Sequence, residues 1–234
     1  MVAVLQSLAR DVIWGLSPLE VAVQRPIPDG KEERPFLWGW RDELESWSWP
    51  GAEGKPLQVS IFTPADRVTI ELNGKLIEDR AMTPEKTSSA RIPVVYQPGQ
   101  LVVTAYLAGR KIGSRKLETA GAAAALRLKL DRSQIAADRN DLAYVTVEVV
   151  DADGRLVPDA AHVLRLSLNG SAELAAFGNA NPRGVSSFRQ PLAKSWHGRA
   201  LAIIRPTDSG TTTISVGSEG LRSAQVRLSV VGKS

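Results

Sequence analysis

The sequence predicts an all-β protein: two tandem β-sandwich domains preceded by a short helix and a Trp/Pro-rich irregular segment. Three observations carry this. Apolar residues alternate with period two in short runs from residue 55 onward, and turn dipeptides punctuate those runs. The composition also changes sharply near residue 50. Five of the six tryptophans (Trp14, Trp38, Trp40, Trp47, Trp49) lie in the first 49 residues, where acids outnumber bases by 8 to 5.

Residues 1–14 read as a helix. Val4, Leu5, Leu8, Val12 and Ile13 recur at helical spacing, and Gly15 then Pro18 stop it. Pro26, Pro28, Pro35 and Pro50 then forbid long regular elements. A stretch that is both proline-punctuated and tryptophan-rich is no flexible linker, because tryptophan is costly to leave in water. Residues 1–50 are therefore expected to be a helix plus a Trp-rich docking segment that lies along another surface.

Leu57-Gln-Val-Ser-Ile61 and Val68-Thr-Ile-Glu-Leu72 alternate cleanly, and Asn73-Gly74 follows, the strongest short hairpin signal. Ile92 to Tyr96, Leu101 to Leu107 and Lys111 to Thr119 continue the strand–turn rhythm, with Pro98-Gly99 and Ala108-Gly109 between them. Residues 51–120 thus form a small β domain, with Leu57, Val59, Ile61, Val68, Ile70, Leu72, Val94, Leu101 and Val103 as its core. The alanine run from Ala120 to Ala125 is a connector.

Residues 121–234 form the second domain. Its strands are Leu126 to Leu130, Tyr144 to Val150, Leu164 to Leu168, Leu201 to Arg205, Thr211 to Val216 and Gln225 to Val231. Asp151-Ala-Asp-Gly154 is a turn, and Asn169-Gly170 is expected to be a second hairpin turn, which accounts for the formal glycosylation sequon there. Leu128, Tyr144 or Val145, Val147, Val149, Leu166, Leu168, Ile203 and Val216 are the expected core. Short strands at this spacing are the signature of an immunoglobulin-like sandwich.

The chemistry is sparse. With no cysteine and only His162 and His197, Cys-ligated zinc, thiolate nucleophiles and His-rich metal sites are excluded, and no cofactor or metal is expected. No Gly-x-Ser-x-Gly elbow, phosphate loop or dinucleotide fingerprint occurs. No catalytic residue can be assigned: the 25 acids fall mostly in turns or at outward strand positions. A net charge of +4, dispersed along the chain, gives no reason to expect nucleic acid or a membrane surface as a partner. The segment Met1 to Ala9 is expected to be neither a membrane span nor a secretory signal.

Two features stand out. Trp38-Gly-Trp40 and Trp47-Ser-Trp49 supply aromatic rings that could stack on sugar faces, so Trp38, Trp40, Trp47 and Trp49 are the candidate carbohydrate-binding residues. Core or interface anchoring is the commoner use of such rings. The second is the polar loop from Phe177-Gly-Asn-Ala-Asn-Pro182 to Ser187-Phe188 and Trp196-His197-Gly198, a candidate binding edge in which Phe188 and Trp196 are expected to be core.

Several longer motifs resemble the C-terminal accessory region of bacterial glycoside hydrolase family 2 β-galactosidases. They are Glu45-Ser-Trp-Ser-Trp-Pro-Gly-Ala-Glu-Gly-Lys55, Val68-Thr-Ile-Glu-Leu-Asn-Gly-Lys75, the Tyr96-x-Pro-Gly99-x-Leu101 turn and Leu117-Glu-Thr-Ala-Gly121. Further along come Leu126 to Asp131, Asp138-Arg-Asn-Asp-Leu-Ala-Tyr-Val-Thr-Val-Glu-Val149, Asp151 to Ala160, Gly178-Asn-Ala-Asn-Pro182 and Ser187-Phe188. The resemblance implies immunoglobulin-like domains that follow a catalytic barrel, with residues 1–14 similar to the end of the barrel's last helix. It implies no active site here, because the family's acid/base glutamate follows an asparagine and no Asn-Glu dipeptide occurs. A (β/α)₈ barrel takes about 250 residues, more than the whole chain. The chain is therefore expected to be the non-catalytic tail of a larger hydrolase. Its expected partner is that enzyme's barrel or, alternatively, carbohydrate bound on exposed aromatics.

Overall fold

A computed structural model describes residues 2–33, 41–83 and 89–232, with side chains from residue 7 onward. The chain divides into two compact units, residues 1–119 and 120–234.

The first unit contains α1 (Val2–Ile13), β1 (Glu20–Gln24), β2 (Glu43–Leu44), β3 (Pro56–Phe62), β4 (Arg67–Leu72), β5 (Lys75–Ala81), β6 (Ser89–Val95), β7 (Gln100–Leu107) and β8 (Arg110–Glu118). Two four-stranded sheets, β2-β1-β3-β6 and β5-β4-β7-β8, enclose one core. Period two explains which residues face it: Leu57, Val59 and Ile61 of β3 lie opposite Val68, Ile70 and Leu72 of β4. Pro93 is tolerated in β6 because β6 is an edge strand, where a missing N–H costs no ladder bond. Asn73 and Gly74 have φ of 53° and 78°, the doubly left-handed geometry that closes the β4–β5 hairpin.

Residues 1–50 are not a separate segment. Leu19, Val21, Val23, Leu44, Trp47 and Trp49 belong to the first unit's core, and β1 pairs with both β2 and β3. The five-residue strand Glu-Val-Ala-Val-Gln fits between Pro18 and Pro26, so the prolines bound it rather than forbid it. α1 packs on β1 and β2 through Leu8 and Val12, and ends where Leu16 N donates to Asp11 O (2.7 Å) and Gly15 N to Val12 O (3.1 Å). Ile13, expected on the helix's packed face, points to solvent instead.

The second unit contains β9 (Ala125–Leu130), β10 (Gln134–Ala136), β11 (Ala143–Val150), β12 (Val163–Gly170), β13 (Ala172–Gly178), β14 (Leu192–Lys194), β15 (Arg199–Pro206), β16 (Gly210–Ser218) and β17 (Leu221–Val231). It is an immunoglobulin-like sandwich of two sheets, β13-β15-β11-β9 and β14-β12-β16-β17, with β10 added beside β17. A single parallel pairing, Ala125 with Arg222, joins their edges. Asp151 anchors the turn after β11: its carboxylate accepts from Gly121 N (2.8 Å), Asp153 N (3.0 Å) and Arg155 N (2.8 Å). Burial alone would raise this carboxyl, but those backbone bonds hold it below the usual range.

Three expectations about buried residues change in this unit. Ile203 is half-buried on the outer side of β15, while Ala200, Ala202 and Ile204 face the core. The ladder sets this: Ala202 pairs with Val145 and Ala200 with Val147, and paired residues share a face. The same register makes Val145 the core residue and leaves Tyr144 outside. Phe188 is exposed and Trp196 half-buried, so neither is the core anchor expected of it.

Asn169-Gly170 is not a hairpin turn. Asn169 and Gly170 pair with Thr213 and Thr212 inside the β12–β16 ladder, after which the chain passes to the other sheet as β13. Gly170 has φ of 128°, and a Cβ there would lie 2.0 Å from the Thr211 carbonyl oxygen. The glycine is required by close backbone approach at the sheet crossing rather than by a tight turn. Gly170→Ala is expected to destabilise the second unit by more than about 1 kcal/mol. Gly217→Ala, with nothing within 4 Å of the added carbon, should have a much smaller effect. Chemical denaturation of the two variants checks this.

Candidate functional site

The Trp47-Ser-Trp49 strap is clamped into the first unit at every residue. The Trp47 ring, 0% exposed, meets Tyr96 edge-on at 5.1 Å, and its Nε1 donates to Gln97 O at 2.9 Å. Thr119 Oγ1 donates to Trp47 O (2.6 Å) and Ser48 Oγ to Glu118 O (3.3 Å). Trp49 N donates to Tyr96 Oη at 3.1 Å, and Arg25 lies over the Trp49 ring at 5.5 Å. Neither indole offers a face to solvent. Trp47 and Trp49 are therefore corrected from candidate sugar platforms to core anchors, because their rings fill the space beside Tyr96. Trp38 and Trp40 lie outside the described residues.

Glu33 holds both flanks of this stretch together. Its carboxylate accepts from Gln24 Nε2 (2.7 Å), Arg41 Nη1 (2.9 Å) and Asp42 N (3.1 Å). Next to it, on the outer side of the first sheet, Arg91 donates to Gln24 Oε1 (3.0 Å), Glu43 Oε1 (3.2 Å) and Ser60 Oγ (3.3 Å). The register explains the cluster: Gln24 pairs with Glu43 and Ser60 with Arg91. Glu43 Oε2 is buried without a hydrogen-bond partner. Burial pushes the Glu43 carboxyl up, against a hydrogen bond from Ser60 and the charge of Arg91. A depression of about 220 Å³ opens nearby between Arg25, Ile27, Lys55 and Gln58, with its cations paired to Asp42 and Asp29.

The second unit's buried acid behaves in the opposite way. Glu148 accepts from Arg127 (2.7 Å), Lys129 (3.0 Å) and Arg199 (3.3 Å). Burial alone would raise its carboxyl, but the bonds and charges of Lys129 and Arg127 hold it below the usual carboxylate range. Among the described residues, no group of three or more His, Asp or Glu is placed to hold a metal ion.

Sequence reasoning missed a third feature. At the end of α1, Trp14 is 68% and Leu16 71% exposed, with Ile13 beside them. The signal was present in the order Ile13-Trp14-Gly15-Leu16: apolar residues that straddle a helix stop cannot all share the packed face. The polar loop after β13 likewise carries exposed Val185 and Phe188 rather than a core plug.

The described structure thus consists of two β-sandwich units, the first carrying a helix with an apolar outward end. Residues 126–227 match the family model described as Glycoside hydrolase family 2 C-terminal domain 5, and residues 54–113 match a Domain of unknown function (DUF4982). Over 187 residues, 78% of this chain, the sequence is 32% identical to Beta-galactosidase BoGH2A of Bacteroides ovatus, of which it covers 21%. A glycosyl hydrolase family 2 member from Bacteroides cellulosilyticus superimposes with a TM-score of 0.85 at 31% identity, over 96% of this chain and 30% of that one. A beta-glucuronidase of the same family shares the fold, with a TM-score of 0.75 at 21% identity, over 97% of this chain and 21% of that one. The chain is similar to the C-terminal regions of glycoside hydrolase family 2 proteins, and spans about a fifth to three-tenths of the relatives it matches.

Two predictions follow from the buried groups. Trp47→Ala is expected to cost the first unit about 3–5 kcal/mol, as deletion of a large core ring does, in denaturant titration followed by tryptophan fluorescence. The second concerns pH. A raised folded-state carboxyl favours the fold below its unfolded value, near 4.5 for Glu43, and that contribution is lost as pH rises through the folded value. Glu43→Gln should therefore be at least as stable as the parent at pH 7, with any advantage gone below pH 4.5. For Glu148, held low, the sign reverses: its contribution is present above pH 4.5 and is lost as pH falls through the folded value. Hydrogen exchange resolved by unit reads both.

Proposed function

We propose that this chain is a non-catalytic accessory region that braces the catalytic barrel of a family 2 glycoside hydrolase of β-galactosidase type. The observation that carries the reading is the apolar end of α1. Leu8 and Val12 hold the helix to the first unit, while Ile13, Trp14 and Leu16 face outward. An exposed cluster of large apolar groups on an anchored element is the mark of an interaction surface. The similarity to family 2 C-terminal regions supports a barrel as the partner class, and the resemblance of residues 1–14 to the end of a barrel's last helix agrees with it. The docking residue is then Trp14, not the buried Trp47 and Trp49.

Calorimetric titration of the chain into a family 2 catalytic barrel produced without its own C-terminal region tests this. Saturable association is expected, weakened about tenfold or more by Trp14→Ala, since buried aromatic anchors dominate such interfaces. No association would overturn the reading. So would turnover of a chromogenic β-galactoside by the purified chain alone.

A further inference from the structure

The outer face of the second unit's β13-β15-β11-β9 sheet is a built surface that the bracing role does not use. On it, rows of side chains cross the sheet in register. Arg127, Glu148 and Arg199 form one row, Lys129, Thr146 and Leu201 the next, then Tyr144 with Ile203. The carboxylate of Glu148, 4% exposed, fixes the Arg127, Lys129 and Arg199 side chains, which are 38%, 55% and 54% exposed. One buried acid thus orders three half-exposed cations and leaves two positive charges uncompensated. Beyond Ile203 the balance repeats: Arg205 pairs across the ladder with Glu173, which also takes Arg139 at 2.7 Å. These residues carry five cations and two carboxylates, and Asp131, whose Oδ1 accepts from Tyr144 N at 2.8 Å, adds a third carboxylate beside Tyr144 that is paired with Arg132 at 3.0 Å.

Two aromatic rings stand beside these cations. Tyr144 is 39% exposed. Phe188 reaches the same face from the loop after β13: Phe177 N donates to Phe188 O at 2.7 Å, and a Cβ on Gly178 would lie 2.1 Å from the Phe188 ring. Phe177 faces the core, so Gly178 faces outward, opposite Leu201 in the ladder. The Phe188 ring therefore occupies the missing side chain's place on the outer surface, where it is 56% exposed. Two strand spacings across and one ladder row along put the rings about 12 Å apart. That is the reach of a short oligosaccharide.

We propose that this face of the second unit binds an oligosaccharide bearing carboxylate groups, that is, a uronic-acid-containing chain. Tyr144 and Phe188 take the apolar faces of its sugar rings. Arg127, Lys129 and Arg199 take its carboxylates, with the planar guanidinium groups suited to paired hydrogen bonds. A protein partner fits less well, because protein interfaces deplete charge at their centre. Here the charged row sits on β11 and its neighbours, in the interior of the sheet.

Isothermal titration of the full chain with saturated oligogalacturonates, with neutral galacto-oligosaccharides of equal length and with dextran sulfate tests the proposal. Saturable binding of the oligogalacturonate is expected, with no heat from the neutral chain. Tyr144→Ala and Phe188→Ala should each weaken it about tenfold, the worth of a good ring contact, with unchanged thermal midpoints. Lys129→Ala should weaken it as well and reduce its salt dependence. Three results overturn the proposal: no binding of oligogalacturonate, binding that both ring variants leave intact, or equal binding of dextran sulfate, which would mean charge attraction alone. Concentration-dependent self-association abolished by Tyr144→Ala would overturn it too, by assigning the face to a second copy. None of these outcomes depends on whether the chain binds a catalytic barrel.

Discussion

Burial of the Trp47 and Trp49 rings is the constraint around which the first unit is arranged. A unit of this size with no disulfide must find its apolar volume in side chains, and these two indoles are the largest fully buried side chains among the described residues. Placing them inside leaves Trp49 Nε1 buried without a partner, but other polar atoms of the strap find one. Trp47 Nε1 takes a carbonyl, Trp47 O takes the Thr119 hydroxyl, and Trp49 N takes the Tyr96 hydroxyl. The strap thereby fixes the end of β8 and the stretch after β6, elements that are distant in sequence. With the strap in place, β1 and β2 complete the first sheet, and α1 gains a surface to pack on.

The contrast between Glu43 and Glu148 shows how partner number decides the fate of a buried carboxylate. Both are nearly inaccessible. Glu43 has one guanidinium, shared with Gln24 and Ser60, and one oxygen without a partner, so desolvation wins. Glu148 has three cations within 3.3 Å, so the charged form wins despite its burial. Arg127 and Lys129 come from one neighbouring strand of β11 and Arg199 from the other. Register alone creates the hub, which is why it is a feature of the sheet rather than of any loop.

Most of the fold was legible because period two and turn chemistry are local. Asn73-Gly74 closes its hairpin as read, and the nine residues expected in the first core are all buried. The failures occur where a local signal has two physical meanings. Gly170 follows an asparagine at the end of an alternating run, yet the glycine answers to the Thr211 carbonyl on another strand, which no local pattern reveals. Ile203 and Ile204 are adjacent and equally apolar, so only the pairing with β11 decides which enters the core. The candidate site failed for a similar reason. Aromatic content says that rings must be accommodated, but only tertiary contacts decide that Trp47 and Trp49 turn inward while Trp14 and Tyr144 turn out.

That inversion bears on how an accessory region should be read. A sandwich fold hosts many functions, so its role lies in what its surfaces present. In this chain Trp47 and Trp49, two of the four rings with the strongest sequence signal, are consumed in stabilising the first unit and leave no face to offer. Rings with weak signals, Trp14 beyond a helix stop and Tyr144 in mid-strand, are the ones available to a partner. Their settings differ in kind. Trp14 stands among other apolar groups, an environment that gains most by excluding water against a matching apolar surface. Tyr144 stands one sheet row from cations held by Glu148, whose excess charge an apolar surface would desolvate at a cost that a hydrated, anionic ligand avoids. Charge around an exposed ring, more than the ring itself, separates a protein-docking surface from a ligand-binding one here.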